Sequence, residues 1–166
     1  MTLTELNKAD SKSAGLFFRQ CCTSSIWADQ MVTGRPYKDG SHLRDYADYC
    51  WGGLSEVDYL EAFDGHPKIG DIESLKKKFD GSQDMARNEQ SSVAEANIET
   101  LDSLSLGNAE YEKKFGFIFI VFASGKSAEE MLNILEDRIE NSRSEEIATA
   151  AEEQRLIFQL RLRNLL

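Results

Sequence analysis

Three serine–acid pairs constrain the fold of this chain more than any other feature of its sequence. In each, a serine precedes an acidic residue by three positions: Ser55 with Asp58, Ser127 with Glu130, and Ser142 with Glu145. This spacing is typical of a capping box, in which serine and acid each bond the other's backbone N–H at the first turn of a helix. Because apolar residues at helical spacing follow the pairs, each pair predicts the start of a helix.

The rest of the pattern is also mostly helical. Further helices are expected around Leu16–Cys21, through Ser24–Val32, from a cap at Ser41, and from about Gln83 to Leu104. One segment departs from this pattern, the apolar run Phe117–Ala123, which could form a lone buried strand or an extended connector. With 166 residues, the chain is expected to form one domain over residues 1–166.

Composition excludes several classes of function. The chain has 19 Lys and Arg against 29 Asp and Glu, a net charge of −10. Such a surface repels nucleic acid and anionic membranes, so neither is expected as a partner. The run Phe117–Ala123 is far too short to span a bilayer, and the N-terminus lacks the apolar core of a signal peptide.

The cysteines and histidines indicate the compartment and argue against a metal site. The odd set Cys21, Cys22 and Cys50 is a poor disulfide framework, which fits a reducing compartment, and we expect a cytoplasmic protein. With only His42 and His66 besides, no spacing suits zinc, and no metal site is predicted. The segment Ser124–Ser127 (SGKS) is not a phosphate loop, because the glycine required five residues before Gly125 is absent.

His66 is the first of three polar residues in unusual positions. It follows Gly65, which is expected to end a helix in the left-handed conformation, and precedes Pro67, which holds it extended. The ring is therefore presented in one fixed direction. A histidine that caps the helix end explains the spacing equally well.

Glu89 and Arg161 are the other two. Glu89 falls within the apolar arc of the long predicted helix, as does Gln90, and Arg161 lies in the apolar stripe of the last helix. A buried carboxylate and a buried guanidinium both require partners. A salt bridge or interface contact could explain Glu89, and a stem lying on apolar surface could explain Arg161. Together with His66, they indicate no more than a small-molecule site.

Several motifs in combination resemble the OHCU decarboxylase family. They are GHPKIG at Gly65–Gly70, NEQ at Asn88–Gln90, KKFGFIFIVFASGKSAEEML at Lys113–Leu132, and RLRNLL at Arg161–Leu166. The resemblance covers nearly the whole chain. It implies an all-α, single compact multi-helix domain that is usually a homodimer and uses no metal or organic cofactor. The implied reaction is decarboxylation of 2-oxo-4-hydroxy-4-carboxy-5-ureidoimidazoline, a small-molecule intermediate of urate breakdown, to S-allantoin.

The resemblance also implies a set of site residues. His66, Glu89 and Arg161 match the catalytic residues of the family. The expected substrate-binding residues are Pro67, Ala86, Glu89, Gln90, Arg161 and the run Phe119, Ile120, Val121, Phe122 and Ala123, whose backbone lines the pocket. Many members carry serine where this chain has Ala86, so one side-chain hydrogen bond to substrate is absent. The resemblance further favours an extended connector over a strand at Phe117–Ala123.

Two other interpretations remain open at this stage. A helical interaction module without catalysis would treat His66, Glu89 and Arg161 as unrelated structural residues. A cofactor-free hydrolase or isomerase acting on a related ureide would use the same residue types. Convergence of the three side chains on one pocket would favour an enzyme.

Overall fold

A computed structural model describes residues 1–66 and 98–165 of the chain. These residues form α-helices joined by turns and extended connectors, and no strand occurs among them. In chain order the helices are α1 (Leu3–Lys8), α2 (Ser11–Cys21), α3 (Ser25–Thr33), α4 (Gly40–Gly52), α5 (Glu56–Asp64), α6 (Ile98–Phe115), α7 (Ala128–Ile139) and α8 (Arg143–Leu165). The predicted all-α class is confirmed.

The three serine–acid pairs begin helices α5, α7 and α8. Ser127 N–H donates to Glu130 at 2.7 Å, and Ser127 Oγ accepts from the Glu130 N–H at 3.2 Å, which completes the capping box of α7. Each of the other two serines also donates its backbone N–H to its acid, at 2.9 Å in both cases. The N–H groups that a helix start leaves unsatisfied are thus bonded by residues that the sequence itself places there.

The chain divides into two compact units. Unit 1 comprises Met1–His66 and Ile147–Leu166, and unit 2 comprises Pro67–Glu146, of which residues 98–146 are described. The boundary between the units falls inside α8. The single domain expected from chain length stays a prediction.

Phe158 of α8 lies at the centre of the core of unit 1. Its ring lies between two tryptophans, at 5.0 Å from Trp27 and 5.4 Å from Trp51. Each indole N–H is satisfied by a backbone carbonyl at 3.1 Å, Ala47 for Trp27 and Ala151 for Trp51. Buried indoles pack well only when this N–H finds an acceptor, so these contacts set the position of α8 against α3 and α4.

Unit 2 is built on the packing of α6 against α7. Tyr111 and Phe115 of α6 form an aromatic cluster with Phe117 and Phe119, with ring centroids 4.6–6.1 Å apart. Gly116, at φ +80°, ends α6 in the left-handed region, where glycine carries no steric cost. The segment that follows is an extended connector without strand pairing, as the family resemblance implies.

Three local predictions were wrong. Asp39, not Ser41, caps α4, and its Oδ1 accepts from the His42 N–H at 2.8 Å. The helix end expected at Leu104 lies instead at Phe115. A single internal glycine, Gly107, costs a helix only about 1 kcal/mol, so α6 continues until the left-handed Gly116. Gly65 is right-handed, at φ −73°, and glycine is needed there for space instead of a left-handed turn.

Among residues 1–66 and 98–165, none of the helices combines the length and the apolar composition that a membrane span requires.

Candidate active site

His66 lies in the turn that ends α5, and Thr23 determines the position of this turn. Thr23 Oγ1 donates to the carbonyls of Glu61 and Ala62, each at 3.2 Å. A Cβ on Gly65 would overlap the Thr23 side chain, so only glycine allows this close approach. The His66 N–H then bonds the Phe63 carbonyl at 3.1 Å. Direct contact with the α2–α3 loop therefore holds the backbone of the turn that carries His66.

The ring of His66 contacts Gln154 of α8. His66 Nε2 and Gln154 Oε1 form a hydrogen bond, and Gln154 is 0% exposed. The other end of the amide, Nε2, faces the Cys22 thiol and has no partner of ordinary hydrogen-bond geometry among the described residues. The histidine is thus linked to α8 by a buried polar group.

Arg161 lies two helical turns after Gln154 on the same face of α8, about 10 Å further along the axis. Its Nη1 donates to the Cys21 carbonyl at 3.0 Å, at the C-terminal end of α2. The guanidinium is half-buried, and a cation at a helix C-terminus is favoured by the helix dipole. One donor of the planar group is therefore engaged in holding it in place.

The two adjacent cysteines complete this face of unit 1. Burial raises the pKa of the Cys21 and Cys22 thiols to about 12, although the Arg161 charge opposes the shift. Both side chains are almost fully buried. At neutral pH they are protonated and inert, since the thiolate is the reactive form, and they serve as apolar packing beneath the polar residues.

The predicted substrate-binding run Phe119–Ala123 lies in unit 2. The first three residues are buried, and the last two are half-buried. Arg138 Nη1 donates to the Ile120 carbonyl at 2.7 Å, and Lys126 Nζ donates to the Phe122 carbonyl at 2.8 Å. These bonds from α7 and its entry hold the extended backbone in place.

Arg138 is itself held by a buried ionic network. Its Nε donates to Glu146 Oε1 at 2.8 Å, and Nη2 contacts the same oxygen. Tyr111 also donates to Glu146 Oε1, while Asn141 donates to Oε2 at 2.8 Å. Glu146 is 0% exposed, and burial raises the pKa of Tyr111, which keeps the phenol protonated as a donor.

The predicted site residues that the structure describes are found in both units. His66 and Arg161 both lie in unit 1, where His66 bonds Gln154 of α8, the helix that also carries Arg161. The run Phe119, Ile120, Val121, Phe122 and Ala123 belongs to unit 2. Pro67, Ala86, Glu89 and Gln90 lie outside the described residues. No cluster of three or more His, Cys, Asp or Glu side chains suited to a metal occurs in the described part.

The sequence analysis did not identify two buried polar residues that contact predicted site residues, Gln154 beside His66 and Arg138 beside Ile120. Gln154 lies three residues after Ala151 and four before Phe158, inside the apolar stripe of α8. Arg138 lies three residues after Leu135 on the buried face of α7. The argument that singled out Arg161 applies to both, because a polar side chain on an apolar face requires a buried partner.

A protein family model and several known proteins match this chain in sequence over most of its length. A family model described as OHCU decarboxylase matches residues 7–163. The uric acid degradation bifunctional protein TTL of Arabidopsis thaliana is 36% identical over 148 residues, covering 89% of this chain and 46% of that protein. This chain thus spans about half the length of that relative. The 2-oxo-4-hydroxy-4-carboxy-5-ureidoimidazoline decarboxylase of Haloferax volcanii is 26% identical over 163 residues, covering 98% of this chain and 94% of that protein.

Two solved structures share the fold. A crystal structure of OHCU decarboxylase in the presence of (S)-allantoin is 34% identical, with a TM-score of 0.74 and coverage of 95% of this chain and 98% of that chain. A crystal structure of (S)-allantoin synthase is 18% identical, with a TM-score of 0.69 and coverage of 99% of this chain and 54% of that chain. At that lower identity the second likeness shows the fold alone.

Proposed function

Because this chain belongs to the OHCU decarboxylase family, we propose that it converts 2-oxo-4-hydroxy-4-carboxy-5-ureidoimidazoline to S-allantoin in urate breakdown. The proposal is a carboxy-lyase reaction that needs no metal or organic cofactor. It is supported above all by the family match over residues 7–163. The match gives no support to a non-catalytic helical module.

The reaction separates into loss of CO2 and delivery of a proton. When the C–C bond to the carboxylate breaks, its electron pair passes into the conjugated C=N of the substrate, so the substrate itself acts as the electron sink. The resulting carbanion-like carbon then takes a proton from one face, and this step sets the S configuration. General acid help in such a step is typically worth about 10²–10⁴ in rate.

The residues of the chain divide these tasks. His66 delivers the proton, from a turn that Thr23 and Gly65 hold in one direction. Arg161 and backbone N–H groups of Phe119–Ala123 bind the ring and ureido carbonyls. The planar guanidinium can donate to carbonyl oxygens with several N–H groups, and one of them already bonds the Cys21 carbonyl.

The residues outside the described part complete the proposed site. Glu89 hydrogen-bonds the substrate hydroxyl or ureido N–H groups and holds the ring in place. Pro67, Ala86 and Gln90 line the pocket beside it, and alanine at position 86 contributes no side-chain hydrogen bond. These roles follow from the family motifs that the residues match.

Three further properties belong to the same proposal. The chain acts as one domain over residues 1–166, as a match to the family over residues 7–163 suggests. It is a homodimer, by resemblance to the family. It is cytoplasmic, because three unpaired cysteine side chains, all buried, fit a reducing compartment.

The test uses freshly generated substrate and follows circular dichroism for the appearance of chiral allantoin. The wild-type chain should form S-allantoin, and dialysis against a strong chelator should leave the rate unchanged. His66→Asn keeps a short polar side chain but cannot donate a proton at neutral pH. Its turnover should fall by roughly two to four orders of magnitude, with residual product tending toward racemic. Normal rate and fully S product in this variant would remove His66 from the mechanism.

A further inference from the structure

The contact between His66 and Gln154 assigns a protonation pattern to the histidine. A carbonyl oxygen such as Gln154 Oε1 only accepts hydrogen bonds, so the nitrogen that faces it, His66 Nε2, must carry a proton. In the neutral ring the proton is then on Nε2 and the lone pair is on Nδ1. The hydrogen bond at one ring nitrogen determines which nitrogen exchanges its proton. Here the bond at Nε2 leaves the exchange to Nδ1.

The amide has a reason to keep this orientation. A histidine that delivers a proton is an imidazolium before the step and a neutral ring after it. Gln154 Oε1 can accept a hydrogen bond from Nε2–H in both states. If the amide were rotated by about 180°, its NH2 group would face the N–H of the imidazolium, and two donors cannot bond each other. One contact therefore serves the ring throughout the reaction.

Burial makes this contact effective. Gln154 is 0% exposed on α8, so water does not compete for its carbonyl, and the packing of Phe158 one turn further fixes the helix. The amide Nε2 faces the Cys22 thiol, and the charged groups that act on this thiol are Arg161 on α8 and Glu61 on α5. Within the described residues, Arg161 donates to the Cys21 carbonyl and Glu61 accepts from Ser25, so neither competes with His66 for Gln154 Oε1.

We propose that Gln154 is a positioning residue for His66, which keeps a proton on Nε2 and makes Nδ1 the nitrogen that delivers the proton to substrate. The catalytic part of this inference rests on the proposed decarboxylase function. The assignment of the tautomer does not, because it depends only on the hydrogen bond between the two side chains.

The tautomer can be read directly by long-range ¹H–¹⁵N correlation spectroscopy of the folded protein. Only His42 and His66 contribute imidazole signals, and a His42→Gln variant identifies them. At a pH where His66 is neutral, the wild type should show the Nε2–H form at this residue. A predominant Nδ1–H form would overturn the proposal without bearing on the decarboxylase function.

Two substitutions at Gln154 test the catalytic role. Gln154→Leu removes the acceptor, so kcat should fall by about 10- to 100-fold with KM little changed, since a misplaced catalytic group costs rate more than binding. Gln154→Glu places a carboxylate against Nε2–H and favours the imidazolium. The rate falls as pH rises through the His66 pKa, so this variant should move that alkaline limb upward by about 1–3 pH units.

Gln159→Leu is the matched control. Gln159 is a second buried glutamine of α8, but it bonds the Arg44 carbonyl and Asp48 instead of the histidine. Its loss should reduce stability without moving the pH profile or the His66 tautomer. Unchanged kcat and pH profile in both Gln154 variants would refute the positioning role. If Gln154→Leu fails to fold, the pH profile of Gln154→Glu and the wild-type spectrum test the role instead. A wild type without decarboxylase activity would refute the proposed function and the catalytic part of this inference together, leaving the tautomer assignment.

Discussion

Removing the charge of Glu146 should destabilise the protein more than any other single isosteric change in the described residues of unit 2. Glu146→Gln keeps the shape of the side chain but leaves Arg138, 7% exposed, without a counter-ion. Breaking a buried pair on one side typically costs about 3–5 kcal/mol. That is a large part of the roughly 5–15 kcal/mol by which a domain is stable.

The assay is equilibrium unfolding in urea, followed by far-UV circular dichroism. With a slope of about 2 kcal/mol per molar urea, the midpoint should fall by roughly 1.5–2.5 M. Combining Arg138→Met with Glu146→Gln removes both charges. The double variant should then lose less free energy than the sum of the single variants, by about 0.5–3 kcal/mol, because the two residues share one network.

Glu152→Gln is the surface control for this experiment. Glu152 pairs with Arg155 at 2.8 Å, but the two side chains are 56% and 29% exposed. Ion pairs in such positions typically contribute about 0–1 kcal/mol, so the midpoint should barely move. A Glu146→Gln variant that loses less than about 1 kcal/mol, with an unchanged slope, would refute the argument that Arg138 depends on this carboxylate.

Three further predictions concern unit 1. Gly65→Ala should cost about 1–3 kcal/mol in urea unfolding and lower kcat, because the new Cβ displaces Thr23 from the turn beside the histidine. Stability should fall as pH rises from about 9 toward 12, since the unfolded thiols of Cys21 and Cys22 lose their protons near their ordinary pKa of 9.0, while the folded thiols keep them to about 12. The slope is at most about 1.4 kcal/mol per pH unit for each thiol, and hydrogen exchange or urea unfolding at several pH values measures it. Arg161→Lys keeps the charge but loses the planar group, so KM should rise roughly 10- to 100-fold with the fold intact.

Each of these predictions has its own control. Gly52→Ala places a Cβ where no atom lies within 4 Å apart from the neighbouring residues and the local backbone of its own helix, so stability should change little. Replacing Cys21 and Cys22 together by alanine should flatten the alkaline loss of stability, and an unchanged slope would show that other groups cause it. An Arg161→Lys variant with unaltered Michaelis parameters would place the guanidinium outside the site.

The sequence by itself determined the local features of the fold. Ser127 with Glu130 and Ser142 with Glu145 predicted the starts of α7 and α8, because capping bonds form between residues three apart. The apolar spacing of α8 predicted its buried face, including Phe158 and the inward position of Arg161. The combination of motifs predicted the family, which the match over residues 7–163 confirms.

Only the tertiary structure decided which distant residues meet. Gly65 reads as a left-handed helix stop, yet Thr23, 42 residues earlier in the chain, is what requires a glycine there. Gln154 reads as an ordinary helical residue until its amide is found against a ring 88 positions away. Glu146 likewise acquires its role from Arg138 and Tyr111. Local spacing specifies backbone hydrogen bonds, whereas the partner of a buried polar group depends on how whole helices pack, and no short stretch of sequence contains that information.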